Sequence, residues 1–194
     1  MVKLKGRAGA AAIRAALGCA VLAAAGSASA TAMQAPSGGQ AAPPTAPADP
    51  SLGYFVGGWD IIATTPGTSE TARFSYEVRP LLSPFWIAGR GRSEELNEES
   101  TDVWGRDSAS GELMRIIFAG SGTYAIVRSP GWQGERLVLE GDARSSGGVV
   151  RVRETITRLG ENEFVATWEA YRNGAWSPYS VERATRRAPS TARS

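Results

Sequence analysis

The sequence contains no histidine, and its two lysines and single cysteine all fall within the first nineteen residues. Beyond Cys19 the chain has no imidazole, no thiol and no side-chain amine. These absences remove histidine acid–base catalysis, cysteine nucleophiles, Schiff-base lysines and disulfides. Long apolar runs are missing as well. The longest candidate, "AALGCAVLAAA" at Ala15–Ala25, is too short for a bilayer-spanning helix, which needs about 20 apolar residues.

That apolar run follows Lys3, Lys5, Arg7 and Arg14 and precedes the small-residue stretch "GSASATA". The order predicts a secretory signal peptide over residues 1–30, cut after Ala30 or Ala32. Export would leave the mature domain periplasmic or secreted. "ALGC" loosely matches a lipoprotein cleavage site, but Ala16 and Arg14 argue against lipid anchoring at Cys19.

The full chain carries 21 basic and 19 acidic residues. Four of the basic ones and none of the acids lie in residues 1–30, which leaves 17 against 19, a net −2. A basic surface for nucleic acid is therefore not expected, nor membrane insertion of the mature domain. Residues 31–50, rich in Pro, Ala, Gly and Ser, read as a disordered linker. Residues 188–194 read as a disordered tail. The domain between them, residues 51–187, is long enough to build its own core.

Within that domain no stretch holds a helical period. Short alternating segments recur, separated by Gly, Pro, Asn and Ser; Asn173-Gly174 is the strongest hairpin signal. About ten strands with short connections predict an all-β, antiparallel, up-and-down barrel, with a two-sheet sandwich as the competing architecture.

Alternation assigns faces. Phe74, Tyr76 and Val78 point inward on the second strand. On the fifth, the same rule puts Met114, Ile116 and Phe118 inside and Arg115 outside. Leu137, Leu139, Val150, Val152, Ile156, Phe164, Ala166 and Trp168 complete the inner set. Glu154 breaks the pattern by falling inside, between Val152 and Ile156. Either a bulge turns it out, or it is a polar anchor in a cavity, paired with an arginine.

Gly57-Gly58-Trp59 on the first strand is followed by Gly89-Arg90-Gly91, Trp104-Gly105-Arg106-Asp107 and Asn173-Gly174-Ala175-Trp176. In that order they resemble the calycin-type barrels, which include lipocalins, fatty-acid-binding proteins and nitrobindins. The resemblance runs from about Leu52 to Arg187 and is nearest to bacterial nitrobindin- or lipocalin-like domains of unknown function. It implies that Trp59 plugs the closed end, under an arginine from the last strand, either Arg183 or Arg186. It also implies that Gly57 permits a close backbone approach. Nitrobindins hold haem through a histidine, so histidine-ligated haem is excluded here, and no other cofactor is indicated.

Other chemistry is thinly signalled. "EELNEESTD", Glu94–Asp102, lacks the spacing and glycine of a calcium loop and reads as a solvated loop. No metal site is expected. Asp60, Glu154, Glu169 and Glu182 are candidates for a glycosidase pair, but alternation turns Glu169 and Glu182 toward water. No serine lies in G-x-S-x-G.

There remains a lumen lined by Phe74, Tyr76, Phe118 and Trp168, together with Trp86 and Tyr124. Strand number favours an interior open to a small molecule, of about 300 Å³ or more. The function expected is non-enzymatic binding of a small apolar or amphipathic ligand. Glu154 and one of Arg90, Arg92 or Arg183 would orient its polar end. A filled barrel serving as an interaction module of the cell envelope is the alternative; an enzyme using carboxylates or a tyrosine is the third.

Overall fold

Turn chemistry sets the strand boundaries. Asn173 and Gly174 both take positive φ, 52° and 82°, and the flanking residues Arg172 and Ala175 pair directly. That is a two-residue hairpin of the kind such a dipeptide favours. A computed structural model describes residues 51–82 and 85–188. The segments expected to be signal peptide and linker, and nearly all of the expected tail, lie outside the described residues.

A short 3-10 helix, Leu52–Phe55, leads into eleven strands: β1 Gly57–Thr64, β2 Thr71–Leu82, β3 Trp86–Ser93, β4 Glu98–Arg106, β5 Leu113–Ala119, β6 Tyr124–Ser129, β7 Trp132–Gln133, β8 Arg136–Ser145, β9 Gly148–Gly160, β10 Glu163–Arg172 and β11 Ala175–Arg186. Every pairing is antiparallel. Strands next in sequence pair in turn except β6 and β7; β1 pairs with β11, and β6 pairs with β8. The result is a closed ten-stranded barrel. The two-residue β7, which alternation did not reveal, adds to β8 outside the ring.

Closure depends on Gly141 of β8. A Cβ there would sit 1.9 Å from the Ile126 carbonyl oxygen on β6. A side chain at this point would push the two seam strands apart.

One end of the barrel is filled. Trp59 is fully buried and its indole N–H donates to the Phe55 carbonyl at 2.8 Å. Phe55 lies against Trp104, Trp132 and Phe164, with ring centroids 4.8 to 5.9 Å apart. Arg186 caps this cluster: its guanidinium sits 4.1 Å over the Trp59 ring and donates to the Val56 and Tyr54 carbonyls at 2.7 and 2.6 Å. Of the two arginines that the resemblance allowed, Arg186 is the one over the ring.

The two glycines before Trp59 make room for arginine side chains rather than for backbone. A Cβ on Gly57, whose φ is +123°, would meet Arg186 at 3.0 Å, and one on Gly58 would meet Arg187 at 2.9 Å.

Two strands differ from the simple alternation. On β5 the inward set is Leu113, Arg115, Ile117 and Ala119, while Met114, Ile116 and Phe118 face out; Phe118 is 50 % exposed. The cause is a second apolar face. Outside the barrel Ile116 pairs with Ile126, and Phe118 with Tyr124. Hydrophobicity therefore cannot choose the phase of this strand, and pairing with its neighbours does.

On β11 a bulge opposite the Trp168–Glu169 step leaves Tyr179 outside the register, next to Pro178. Tyr179 and Ser180 then both border the interior, and Glu182 and Ala184 follow on the inner face. Glu182 thus points inward, not toward water, because the bulge moves the alternation by one residue.

Candidate functional site

The middle of the lumen is polar and is organised around Arg115. The β4–β5 register brings Asp102 opposite Ile117, and the barrel's inner face brings Glu154 of β9 within reach. The Arg115 guanidinium donates to Asp102 from Nε at 2.8 Å and from Nη2 at 2.5 Å. Its Nη1 donates to both Glu154 oxygens at 2.6 and 2.5 Å. The Tyr76 hydroxyl donates to Asp102 at 2.7 to 2.8 Å and accepts from the Trp104 indole N–H at 3.4 Å. The Arg115 cation also lies 4.2 Å over the Trp104 ring.

Buried charges are tolerable when paired and hydrogen-bonded in this way. Burial works against the Arg115 charge, but Glu154 and Asp102 outweigh it and hold the guanidinium above its usual value. Burial, and then the Asp102 charge, raise the Tyr76 hydroxyl well above the ordinary tyrosine range, so it remains a donor. Burial also raises Glu154, against the pull of Arg115.

Gly89 explains why "GRG" is needed. A Cβ there would fall 2.1 Å from both the Tyr76 hydroxyl and Asp102 Oδ1. The glycine is the floor on which the Tyr76–Asp102 pair rests. Gly105 plays a similar part on the outer surface, where the Trp86 ring covers it.

A third carboxyl faces this cluster. Glu182 is half-buried and borders the cavity, beside Trp168 and Ser180, whose side chains favour its ionised form. Burial first, and then the Glu154 charge, push its carboxyl up to about 7. Arg115 pulls the other way but is held by two other acids.

The cavity beside these groups measures about 90 Å³. Phe74, Ile117, Trp168 and Tyr179 form its apolar walls. It is smaller than the lumen that strand number alone suggests, because Phe55, Trp59, Trp104 and Phe164 fill the closed half.

The residues singled out from sequence divide clearly. Phe74, Tyr76, Glu154 and Trp168 come together at the cavity; Tyr124 stands on the outward phase of β6, opposite Phe118, and is 38 % exposed, although it still borders the cavity. Phe118 and Trp86 face outward; Trp86 lies over Gly105. Arg183 is also outside, in an ion pair with Glu163 at 2.5 Å. Arg90 and Arg92 are exposed and pair with Glu99. None of these three arginines meets Glu154.

Glu169 is on the outer surface with Arg153, and Asp60 is exposed beside Arg187. The acidic stretch after Ser93 is a loop only in part. From Glu98 it is strand β4, which carries Asp102 into the lumen.

Sequence reasoning missed Arg115, Asp102 and Glu182. For Asp102 a signal was present: it stands two residues from Trp104, so an inward tryptophan implies an inward aspartate. Arg115 and Glu182 depend on strand phase and on a bulge, which alternation does not report.

No family model matches the chain, and no curated protein sequence matches it. Among solved structures, Rv2717c from M. tuberculosis is similar, with a TM-score of 0.50 and 15 % identity, over 74 % of this chain and 99 % of that one. A redesigned β-barrel, b11L5F_LGL, aligns at 12 % identity and a TM-score of 0.36, over 71 % of this chain and 96 % of its own. Another, mFAP1 bound to DFHBI, aligns at 14 % and 0.34, over 71 % and 98 %. At 15 % identity the likeness to Rv2717c concerns the fold: a closed antiparallel β-barrel.

Proposed function

We propose that the protein is an exported, calycin-like barrel that binds one small amphipathic molecule in its lumen without transforming it. The observation that carries this reading is the cavity itself, a space with aromatic and aliphatic walls and a few converging polar groups. At about 90 Å³ it is well below the roughly 300–1,000 Å³ of drug-sized pockets, so the ligand is small. The non-enzymatic reading draws on the engagement of Asp102 and Glu154 by Arg115, and on the lack of histidine, cysteine and lysine beyond Cys19. Export draws on the charge and apolar pattern of residues 1–30.

The test is to express the full chain in a bacterial host, recover the protein from the periplasmic fraction, and measure its intact mass under native and denaturing conditions. A mass starting at Thr31 or Met33 is expected, together with a small molecule released on denaturation. Failure to find any bound molecule, joined to no thermal shift across a panel of small amphiphiles, would refute lumenal binding. An uncleaved chain retained in the cytoplasm would refute export.

A further inference from the structure

Among the residues lining the cavity the charged ones are Arg115, Glu154 and Glu182. Asp102 stands directly behind Arg115. One cation therefore faces three carboxyl groups, and its guanidinium is already committed to two of them. With all three acids ionised the lumen would carry a net charge of −2; with a proton on Glu182 it carries −1. An anionic ligand would add to that surplus at close range and low dielectric. A cation would relieve it.

The walls favour the same sign. Trp168, Phe74 and Tyr179 border the cavity, and aromatic faces attract ammonium groups. Size sets a further limit. A single water needs about 10–15 Å³ of such space, so about 90 Å³ accommodates roughly six to nine non-hydrogen atoms.

We propose that the lumen selects a small monocation, a protonated amine on a compact apolar body, with the Glu182 carboxylate as its counter-ion. This deepens the lumenal-binding reading and rests on it. Glu182 is suited to the part by its position. Asp102 and Glu154 are held by Arg115, whereas among the described residues no arginine forms an ion pair with Glu182. In the free protein its raised affinity for a proton means that it is partly protonated near neutrality. The ammonium group takes the place of that proton, so binding releases it to solvent. The groups facing Glu182 (Glu154, Arg115 and, behind them, Asp102 and Tyr76) keep their own pairing throughout.

The experiment is calorimetric titration of the folded protein with three probes of matched shape: benzylammonium, benzyl alcohol and benzoate. Benzylammonium is expected to bind about tenfold or more tightly than benzyl alcohol, benzoate to give no binding, and the amine's affinity to weaken as pH falls from 7.5 to 5.5. Glu182→Gln should cost the amine about tenfold more in affinity than it costs the alcohol, whose remaining binding reports an intact lumen. Equal binding of amine and alcohol would overturn the cation proposal while leaving lumenal binding standing. So would a Glu182→Gln variant that binds the amine as well as the parent does. Preference for benzoate would overturn it too. No binding by any probe, in a protein that also yields no native ligand, would overturn both readings.

Discussion

Arg115→Met removes the charge at the centre of the lumen while roughly keeping the length of the side chain. The variant leaves Asp102 and Glu154, each with a side chain about 3 % exposed, without their cation. Removing one partner of a buried ion pair typically costs about 3–5 kcal/mol. Here one substitution strands two carboxylates, although Tyr76 still donates to Asp102. A loss at pH 7 of at least that size is expected, against a total stability of about 5–15 kcal/mol for an ordinary domain.

The loss should depend on pH with a definite sign. Burial already raises the Glu154 carboxyl against the pull of Arg115; without that pull it holds its proton more tightly still than in the unfolded chain, so the variant gains stability as pH falls. Urea unfolding followed by tryptophan fluorescence, at intervals from pH 5 to pH 8, measures the gap between parent and variant. The gap should be widest at pH 8 and narrow toward pH 5. Combining Arg115→Met with Asp102→Asn and Glu154→Gln should recover part of it, since neutral amides leave no unpaired buried charge. A gap below about 1 kcal/mol at pH 7, or one that does not change with pH, would refute the account of Arg115 as the charge partner of both acids.

Three further perturbations test other parts of the structure. Glu182 titrates at about 7 in the native state against an ordinary value of 4.5, so its contribution to stability is fully present below 4.5 and lost as pH rises through 7. The advantage of Glu182→Gln over the parent should therefore grow between pH 4.5 and 8 by at most roughly 3 kcal/mol, and a flat difference in paired denaturation curves would contradict the raised value. Trp59→Ala should cost about 3–5 kcal/mol, because it empties the plug and strips Arg186 of its aromatic face; thermal or urea unfolding measures this, and a near-neutral result would contradict the closed-end role. Gly89→Ala should cost about 1–3 kcal/mol by forcing the Tyr76 hydroxyl off Asp102, and a variant as stable as the parent would show that the contact is not tight.

Much of the fold was legible because its signals are local. Asn173-Gly174 closes a hairpin by its own backbone preference, and short alternating segments between turn residues mark antiparallel strands wherever they occur. Trp59's place at the closed end was implied by the resemblance to calycin-type barrels that the order of short motifs carries. Part of the site was legible too, since Phe74, Tyr76, Glu154 and Trp168 belong to strands on which one face is clearly more apolar than the other or is held in phase by its neighbours. Phe118 was misplaced because β5 is apolar on both faces, and a period of two has two equivalent phases until a partner strand selects one.

By itself the sequence determined the strand count of the barrel, the positions of its turns and the chemistry beyond its reach, because composition and turn propensity act over a few residues. Tertiary structure alone decided which charges meet. Glu154 needed a cation, but β5 register made it Arg115 rather than Arg90, Arg92 or Arg183. Glu182 entered the lumen because a bulge at Tyr179 moved β11 by one residue. Those choices rest on contacts between strands distant in sequence, where a one-residue change of phase exchanges the inside of the barrel for the outside.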